Sequence, residues 1–525
     1  MTLTWEKEVK EINEKSKFAD QMGGKEAVDL QYKKGRLPIR ERINRILDNK
    51  SFNEVGKSAG FSEYNDNGSL KEFTPGNFIL GFGSINKRPV VIGGEDFSLK
   101  GGSPNAAGLR KSIYTEELAL KYKVPLIRLH EGAGGSVGGT NQEKTNRPIS
   151  DAVYTPSRFI SLANTLGEVP VATAALGPVA GLPASRLVAS HFSVMTESSL
   201  VLIAGPKVVK RALNIEITKE ALGGPEVHLK SGVINNFAKT EDEAFEQIKT
   251  FLSFVPDNAW TFPQSIPTKD KEDRCDDFLI DIIPKDRRKP YSVRKIISSL
   301  LDINDDQSSF FEIGKKYGPS LITGLGRLNG QSVGVIANDC MFYAGAMTAS
   351  ASKKLERFSD FCNSFHIPII SLVDEPGFMI GPDSEKNGTI RFGTAAISAI
   401  MQSRVPWASV HMHKSFGVAA TAHYGPDSFT LLWPSALSGA LPVEGGVAVA
   451  FSKEIANSKD PEKMQKMLED QLAQRQSPIP RAEGFSAHDL IDPRETRPRL
   501  ISWLELALKA YRLHDPKPYL VTMRP

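Results

Sequence analysis

The sequence predicts an α/β layered fold written twice in tandem, and three observations carry that prediction. The stretch FILGFGSINKRPVVIGGED, residues 78–96, returns as LITGLGRLNGQSVGVIAND, residues 321–339, so that Gly81, Gly83, Asn86 and Asp96 meet Gly324, Gly326, Asn329 and Asp339 at one constant offset. Short apolar runs such as PVVIGG, VPLIRLH and VPVATAAL alternate with helix-like stretches such as AAGLRKSIYTEELALKYK and SASKKLERFSDFCNSFH, which is the pattern of stacked strand and helix layers. Glycine clusters follow the strands, where backbone amides can meet a ligand.

Taken in order, the N-terminal MTLTWEKEVKEINEKSK is broken by acids and bases and has no apolar core, so neither a secretory signal nor a transit peptide is expected there. The first repeated element is amphipathic: RERINRILDNKSFNEVG (40–56) corresponds to VRKIISSLLDINDDQSSFFEIG (293–314). Each runs into an Asp, then an aromatic residue and an acid. VPLIRLHEGAGG (124–135) corresponds to IPIISLVDEPGF (367–378), pairing Pro125 with Pro368, Leu129 with Leu372 and Gly134 with Gly377. After a small deletion, VPVATAALGPVAGLPASRLVA (169–189) corresponds to VPWASVHMHKSFGVAATAHYG (405–425). The period is too long for a solenoid, so two related domains are expected, residues 1–267 and 268–525. The charged segment 268–290, TKDKEDRCDDFLIDIIPKDRRKP, reads as a linker.

Bulk composition excludes several classes. Against 65 Lys and Arg stand 61 Asp and Glu, and a net charge of +4 argues for neither nucleic acid nor a membrane surface. No run reaches the roughly 18 apolar residues that span a bilayer. Cys275, Cys340 and Cys362 lack C-x-x-C spacing, which suits a reducing, cytoplasmic setting and buried small side chains.

Several motifs compete for the chemistry. GGSVG (134–138) fits the G-x-S-x-G nucleophile elbow with Ser136, but GTNQEKTNRP follows where the elbow needs a helix. The DEPG stretch at Asp374–Gly377 looks like a nucleotide-switch box, yet no G-x-x-x-x-G-K-[ST] loop accompanies it. His411 and His413 would share one face of a strand, but two imidazoles without a third ligand read as structural. AGL (180–182) and FGVA (416–419) are more informative. Both follow the same strand in the repeat, and a glycine between strand and helix leaves amides able to hold an oxyanion.

The ordered matches GRLPIRERINRILD, GGSPNAAGLRK, LIAGPKVVK, LGGPEVHLKSGV, VRKIISSLLD, DEPGFMIG and LIDPRETRPRL run over roughly residues 25 to 510. Together they resemble the carboxyltransferase subunits of biotin-dependent acyl-CoA carboxylases, such as the propionyl-CoA and methylcrotonyl-CoA carboxylase β chains. The resemblance implies two fused crotonase-type (ClpP/crotonase) domains, the first binding acyl-CoA and the second carboxybiotin, each with an oxyanion hole. Carried over residue by residue, Gly181 and Leu182 would hold the thioester enolate, while Gly417, Val418 and Ala419 would hold the biotin oxyanion. Gly101, Gly102, Gly134, Gly135 and Thr421 would line the substrate, and Phe416, Gly377 and Phe378 the biotin. The Cα proton would pass to the biotin ureido nitrogen, so no protein base is required.

Departures are present. Many relatives have Gly-Gly at 181–182 and 417–418, D-S-G-G-A-R where this chain has HEGAGGS, and, in propionyl-CoA types, an acid at the place of Thr421. No AMKM biotinylation sequence or ATP-grasp domain is recognisable, so a separate biotin carboxylase and biotin carboxyl carrier are implied, with no metal in this subunit. The family further implies a homo-oligomer, a hexamer with active sites at dimer interfaces. Location would be the cytoplasm, or the mitochondrial matrix if a transit peptide precedes this sequence. Alternative readings are the carboxyltransferase subunit of a biotin-dependent decarboxylase and a non-catalytic scaffold of the same fold.

Overall fold

The computed structural model describes residues 4–134, 159–519 and 523–524. By its contacts the chain divides into two compact units, one mainly Met1–Ser253 and the other mainly Trp260–Met523. Each is α/β, and each is built on an eight-stranded sheet.

In the first unit the strand order is Asn53–Glu54, Phe78–Ile85, Arg88–Glu95, Leu126–Gly132, Val171–Ala180, Phe192–Thr196 and Asn236–Ala238, with Leu200–Leu202 pairing beside Val171–Ala180. In the second it is Phe311–Glu312, Leu321–Leu328, Gln331–Asn338, Ile369–Glu375, Trp407–Phe416, Phe429–Leu432 and Asp489–Leu490, with Leu437–Gly439 beside Trp407–Phe416. Both sheets open with antiparallel pairs and continue parallel. Even the irregularity repeats: register shifts between His130 and Gly132 in one unit, and between Val373 and Glu375 in the other. The expected two-copy α/β architecture is therefore present strand for strand.

The repeated residues have local reasons. A Cβ on Gly81 would strike the Asn53 carbonyl and the Phe52 ring, and one on Gly324 the Phe311 carbonyl and the Phe310 ring. Gly83 and Gly326 are pressed in the same way by Leu47 and Leu301. Only glycine allows these approaches. The hairpin turns need φ > 0 at Asn86 and Lys87 and at Asn329 and Gly330. In each unit an aspartate holds that turn. Asp48 accepts the N–H groups of Asn86 and Lys87 at 2.9 and 2.8 Å, and Asp302 those of Asn329 and Gly330 at 2.9 and 2.7 Å.

The repeated amphipathic stretch forms the helices Ile39–Ile46 and Val293–Leu300. Arg40 grips Glu54 through two nitrogens, as Arg294 grips Glu312. The helix-like runs are Ala106–Tyr122 and Ala349–Ser364, capped at equivalent positions by Asn105, which accepts from Gly108 N–H at 2.7 Å, and Thr348, which accepts from Ala351 N–H at 3.1 Å.

One expectation is corrected. Segment 268–290 is not a solvated linker but part of the second unit. Leu279 is buried in that unit's core with Ile296, Leu300 and Leu504, and Arg274 pairs with Asp270 while Arg497 joins Asp270 and Asp302. Arg274 also reaches Asp276, so these charges pair against the fold rather than standing in solvent. Among the described residues no helix is long and apolar enough to cross a membrane.

Candidate active site

Each unit gathers its glycines at the C-terminal ends of the parallel strands, the place where open α/β sheets receive ligands. In the first unit, Val171–Ala180 ends at Gly181 with φ 65° and ψ −131°, and the helix Leu182–Val188 starts at once. A side chain would be strained in that conformation. Gly134, at φ 79°, lies against this turn, since a Cβ on it would sit 2.9 Å from the Ala180 carbonyl oxygen. Gly101 and Gly102 also have positive φ; the Gly101 carbonyl accepts the Ala133 N–H at 2.9 Å, and Gly102 touches the Glu131 carbonyl. Gly102, Leu182, Pro183 and Arg186 line one small pocket. Thus Gly101, Gly102, Gly134, Gly181 and Leu182 come together, while Gly135 and Ser136 lie outside the described residues.

The helix that begins at Leu182 is held from below. Arg186 Nε donates to Glu116 Oε1 at 2.8 Å, Arg128 donates to the same carboxylate oxygen at 3.0 Å, and Ser161 Oγ to its other oxygen at 2.6 Å, all buried. Beside it, Glu131 is paired with Arg36 and with Arg42, and Glu95 with His130 at 3.2 Å. Burial alone would raise the Glu95 carboxyl, and the facing His130 outweighs it and lowers the pKa.

In the second unit, Trp407–Phe416 ends at Gly417 with φ 63° and ψ −162°, followed by the 3₁₀ segment Val418–His423. The Gly417 N–H donates to the Gly439 carbonyl at 3.1 Å, so a ligand at this turn meets the amides of Val418 and Ala419, which begin the helical segment and have no partner within it. The Val418 side chain is 66% exposed and Ala419 is buried. Thr421 is exposed on the same segment. Phe416 is buried, and Gly377, at φ 126°, lies alongside its carbonyl. The Phe378 ring is turned onto Gly393 of the helix Thr389–Met401.

Two buried charge clusters support this turn. Asp374 accepts from Tyr291 O–H at 2.9 Å and from Lys414 N–H at 3.1 Å, and faces His413 Nδ1 at 3.1 Å. Burial pushes its carboxyl up, but His413 and Lys414 prevail and hold it at about 2. Glu375 accepts from Gly377 N–H and from Asn338 Nδ2, both at 2.9 Å, and faces His423 Nε2 at 3.3 Å, while His423 Nδ1 lies 2.9 Å from Ser371 Oγ. Ser371, His423 and Glu375 resemble a hydrolase triad in composition, but all three are fully buried, so the group braces the fold rather than attacking a substrate. His411 has both ring nitrogens engaged, Nδ1 with Arg481 at 2.8 Å and Nε2 with the His413 and Leu437 carbonyls. A cavity of about 310 Å³ opens beside the turn, walled by Tyr291, Cys340, Lys414, Phe416, Leu437 and Val443.

Sequence reasoning missed Arg186–Glu116 and Glu375–His423. The only sign of the second pair was the acid in DEPG and the histidine in ATAHYG, each inside a motif weighed for something else.

Comparison with known proteins gives the family and the fold. The family described as carboxyl transferase domain matches residues 30–519. The propionyl-CoA carboxylase carboxyltransferase subunit of Haloferax mediterranei is 31% identical over 98% of both chains. The methylmalonyl-CoA decarboxylase subunit alpha of Veillonella parvula is 29% identical, again over 98% of both. A solved structure of the transcarboxylase 12S hexamer assembly, with methylmalonyl-coenzyme A and methylmalonic acid bound, superposes with a TM-score of 0.86 at 29% identity, covering 100% of this chain and 99% of that one.

Proposed function

The chain belongs to the carboxyl transferase domain family of biotin-dependent enzymes, with that family's pair of crotonase-like domains, and we propose from this a division of labour between its halves. Residues 1–267 take the acyl-CoA, and residues 268–525 take carboxybiotin borne on a partner protein. The carboxyl group passes to the carbon beside the thioester, or to the vinylogous γ carbon of an unsaturated acyl group. The observation that best supports this is the strand–glycine–helix turn present at equivalent places in both units, Gly181 with φ 65° and Gly417 with φ 63°.

Two oxygens gain negative charge in such a transfer, the thioester oxygen and the ureido oxygen of biotin. The amides of Gly181 and Leu182 answer the first, and those of Val418 and Ala419 the second. One such donor is worth about 10²–10³ in rate. Carboxybiotin supplies the carboxyl group and, once relieved of it, a ureido nitrogen that takes the Cα proton. Gly101, Gly102, Gly134 and Gly135 form the acyl-CoA approach with Thr421, and Phe416, Gly377 and Phe378 the biotin approach. Leu182 and Val418 act through their backbones, and the exposure of the Val418 side chain fits that role.

The reading includes a separate biotin carboxylase and carrier, no metal of this chain's own, a cytoplasmic setting suited to its free thiols, and a hexamer in which the first turn of one protomer works with the second turn of its partner. Because the Veillonella relative is a decarboxylase subunit, the same site run from substrate to biotin is the second reading.

The test is to purify this protein with any biotinylated companion and supply labelled bicarbonate, ATP and a panel of acyl-CoAs. Label in a carboxyacyl-CoA supports the proposal. A companion-loaded protein that neither carboxylates an acyl-CoA nor decarboxylates a carboxyacyl-CoA ends it. Mixed hexamers of Gly181→Pro and Gly417→Pro protomers should recover about a quarter of the sites by random pairing.

A further inference from the structure

We propose that the recess edged by Gly102 and Leu182 in the first unit receives the tail of the acyl group, that Leu182 sets its depth, and that Arg186 offers a hydrogen bond there to a neutral oxygen. The inference rests on the carboxyl-transfer reading and adds to it the class of acyl group taken: a short chain in the protein as it stands, and a hydroxyl-ended chain once the recess is deepened.

The recess holds about 10 Å³, room for one water and no more. Glu95, Gly102, Leu109, Leu182, Pro183 and Arg186 bound it. Gly102 and Leu182 are also residues that the proposed function sets against the acyl-CoA, so a chain whose thioester lies at the Gly181 turn has this recess beside it. Leu182 is half-buried and opens the helix Leu182–Val188, with Arg186 one turn further along the same face. A change of one or two methylenes in such a wall is enough to alter which chains fit.

Arg186 brings a hydrogen-bond donor to this wall. It is only 2% exposed, and two of its nitrogens are engaged: Nε donates to Glu116 Oε1 at 2.8 Å, and Nη1 to Ser112 Oγ at 2.8 Å. Nη2 is buried and has no partner among the described residues. A buried guanidinium N–H calls for an acceptor. The neighbouring polar side chains are already committed. Asn77 Nδ2 donates to the Ser103 carbonyl at 2.6 Å, its Oδ1 accepts Asn105 N–H at 3.0 Å, and Ser112 Oγ donates to the Leu109 carbonyl at 2.7 Å.

The charges around the recess decide which acceptor suits Nη2. Arg186 and Arg128 share Glu116, while Glu95, which also lines the recess, faces His130 at 3.2 Å. Burial works to raise the Glu95 pKa, but His130, and with it Arg186, bring it below its ordinary value. An anionic tail would therefore meet an ionised carboxylate. A purely hydrocarbon tail would cover Nη2 and give it no acceptor. A hydroxyl avoids both, since it accepts from Arg186 and can donate to Glu95.

The test compares propionyl-CoA, pentanoyl-CoA and 4-hydroxybutyryl-CoA, the last two nearly equal in shape, as carboxyl acceptors with the full-length protein and its biotinylated companion. The Kd of each is also measured by calorimetry without the companion. The parent should favour propionyl-CoA over pentanoyl-CoA by about tenfold or more in kcat/KM and in affinity. Leu182→Ala should narrow that ratio by about tenfold, and Leu182→Phe should widen it. In Leu182→Ala, 4-hydroxybutyryl-CoA should exceed pentanoyl-CoA by about tenfold or more on both measures. Adding Arg186→Lys should keep part of that preference, and adding Arg186→Met should abolish it. Each result is a ratio between two substrates on one protein, so a variant that is merely less stable leaves it unmoved. Should Leu182→Ala fail to fold, Leu182→Val carries the same comparison. A chain-length ratio unchanged in the Leu182 variants, or equal values for 4-hydroxybutyryl- and pentanoyl-CoA in Leu182→Ala, would overturn the assignment. A parent that binds the acyl-CoAs in the expected order yet carboxylates none removes the transfer reading and leaves the recess. Carboxylation without that order removes only the recess.

Discussion

His423 Nε2 lies 3.3 Å from Glu375 Oε2, wholly inside the second unit, and this contact joins the end of one parallel strand to the 3₁₀ segment that begins at Val418. The Glu375 carboxylate also receives Gly377 N–H and Asn338 Nδ2, so one acid fixes the glycine turn, the neighbouring strand and the donor segment together. With Glu375 ionised, His423 carries its hydrogen on Nε2 and Nδ1 accepts from Ser371.

Replacing this acid should therefore cost stability and rate together. Glu375→Ala takes the acceptor from two buried donors, Asn338 Nδ2 and His423 Nε2, at about 1–3 kcal/mol each before relaxation, and from the half-buried Gly377 N–H. Urea unfolding should show a loss of at least ~2 kcal/mol, with Glu375→Gln intermediate. At temperatures where the variant is folded, kcat should fall while KM for acyl-CoA stays near its parent value, because the disturbed turn serves the other substrate. Unchanged kcat in a folded Glu375→Ala protein would show that the brace is idle.

Gly417→Ala separates backbone strain from crowding. A Cβ there would meet the Ala440 carbonyl oxygen at 3.4 Å, which is ordinary contact, but φ 63° with ψ −162° is a glycine conformation. The strain, about 1–3 kcal/mol, should be relieved by rotating the turn and moving the Val418 and Ala419 amides. Transfer should slow roughly 10²-fold, as for one lost oxyanion donor, with the circular dichroism spectrum intact. Gly181→Pro should do the same on the acyl-CoA side. Full activity in either variant would falsify the assignment of that turn.

Thr421 is exposed on the segment Val418–His423, and the proposed function sets it against the acyl group. Thr421→Asp should change the ratio of kcat/KM among acetyl-, propionyl-, methylcrotonyl- and geranyl-CoA by about 10-fold or more, while thermal stability changes little. An unaltered ratio across the four removes Thr421 from substrate choice.

Lys354 supplies a pH dependence. Its amine is buried and donates to the Leu321 carbonyl at 2.7 Å. Burial pushes it down to about 7 from 10.5, with Glu312 pulling the other way. Between those values the unfolded chain binds the extra proton, so this group's contribution to stability rises with pH across that window. Below pH 7 both states are protonated and the folded state carries the full cost of the buried charge. Lys354→Met should therefore stabilise the protein by about 1–4 kcal/mol at pH 6 and less at pH 10, read from denaturant midpoints. A variant whose pH profile parallels the parent's contradicts this account.

Much of the fold was legible in the sequence because the duplication repeats residues that only backbone geometry explains. Gly81 with Gly324, and Gly83 with Gly326, recur since a carbonyl or a leucine occupies the space a side chain would need. Asp48 and Asp302 recur since each holds the N–H groups of a hairpin turn. The donor turns were legible for the same reason: a strand, a glycine and a helix start are local, and amides freed at such a junction follow from local geometry. Charge misled the reading of 268–290. Its charge density read as a linker, but Asp270 and Arg274 pair with each other, and Arg497 reaches Asp270 from far along the chain.

The sequence by itself determined the two-copy α/β plan, the strand-end glycines and the two turns, because each depends on neighbours a few residues away or on a repeat that can be counted. Tertiary structure alone decided which buried charges meet. Glu375 and His423 are 48 residues apart, and Arg186 and Glu116 are 70 apart. Their pairing follows from the order of strands in the sheet, which sets adjacent elements side by side whatever their separation in the chain. The same ordering spent the Gly417 amide on Gly439, since Leu437–Gly439 runs beside the end of Trp407–Phe416.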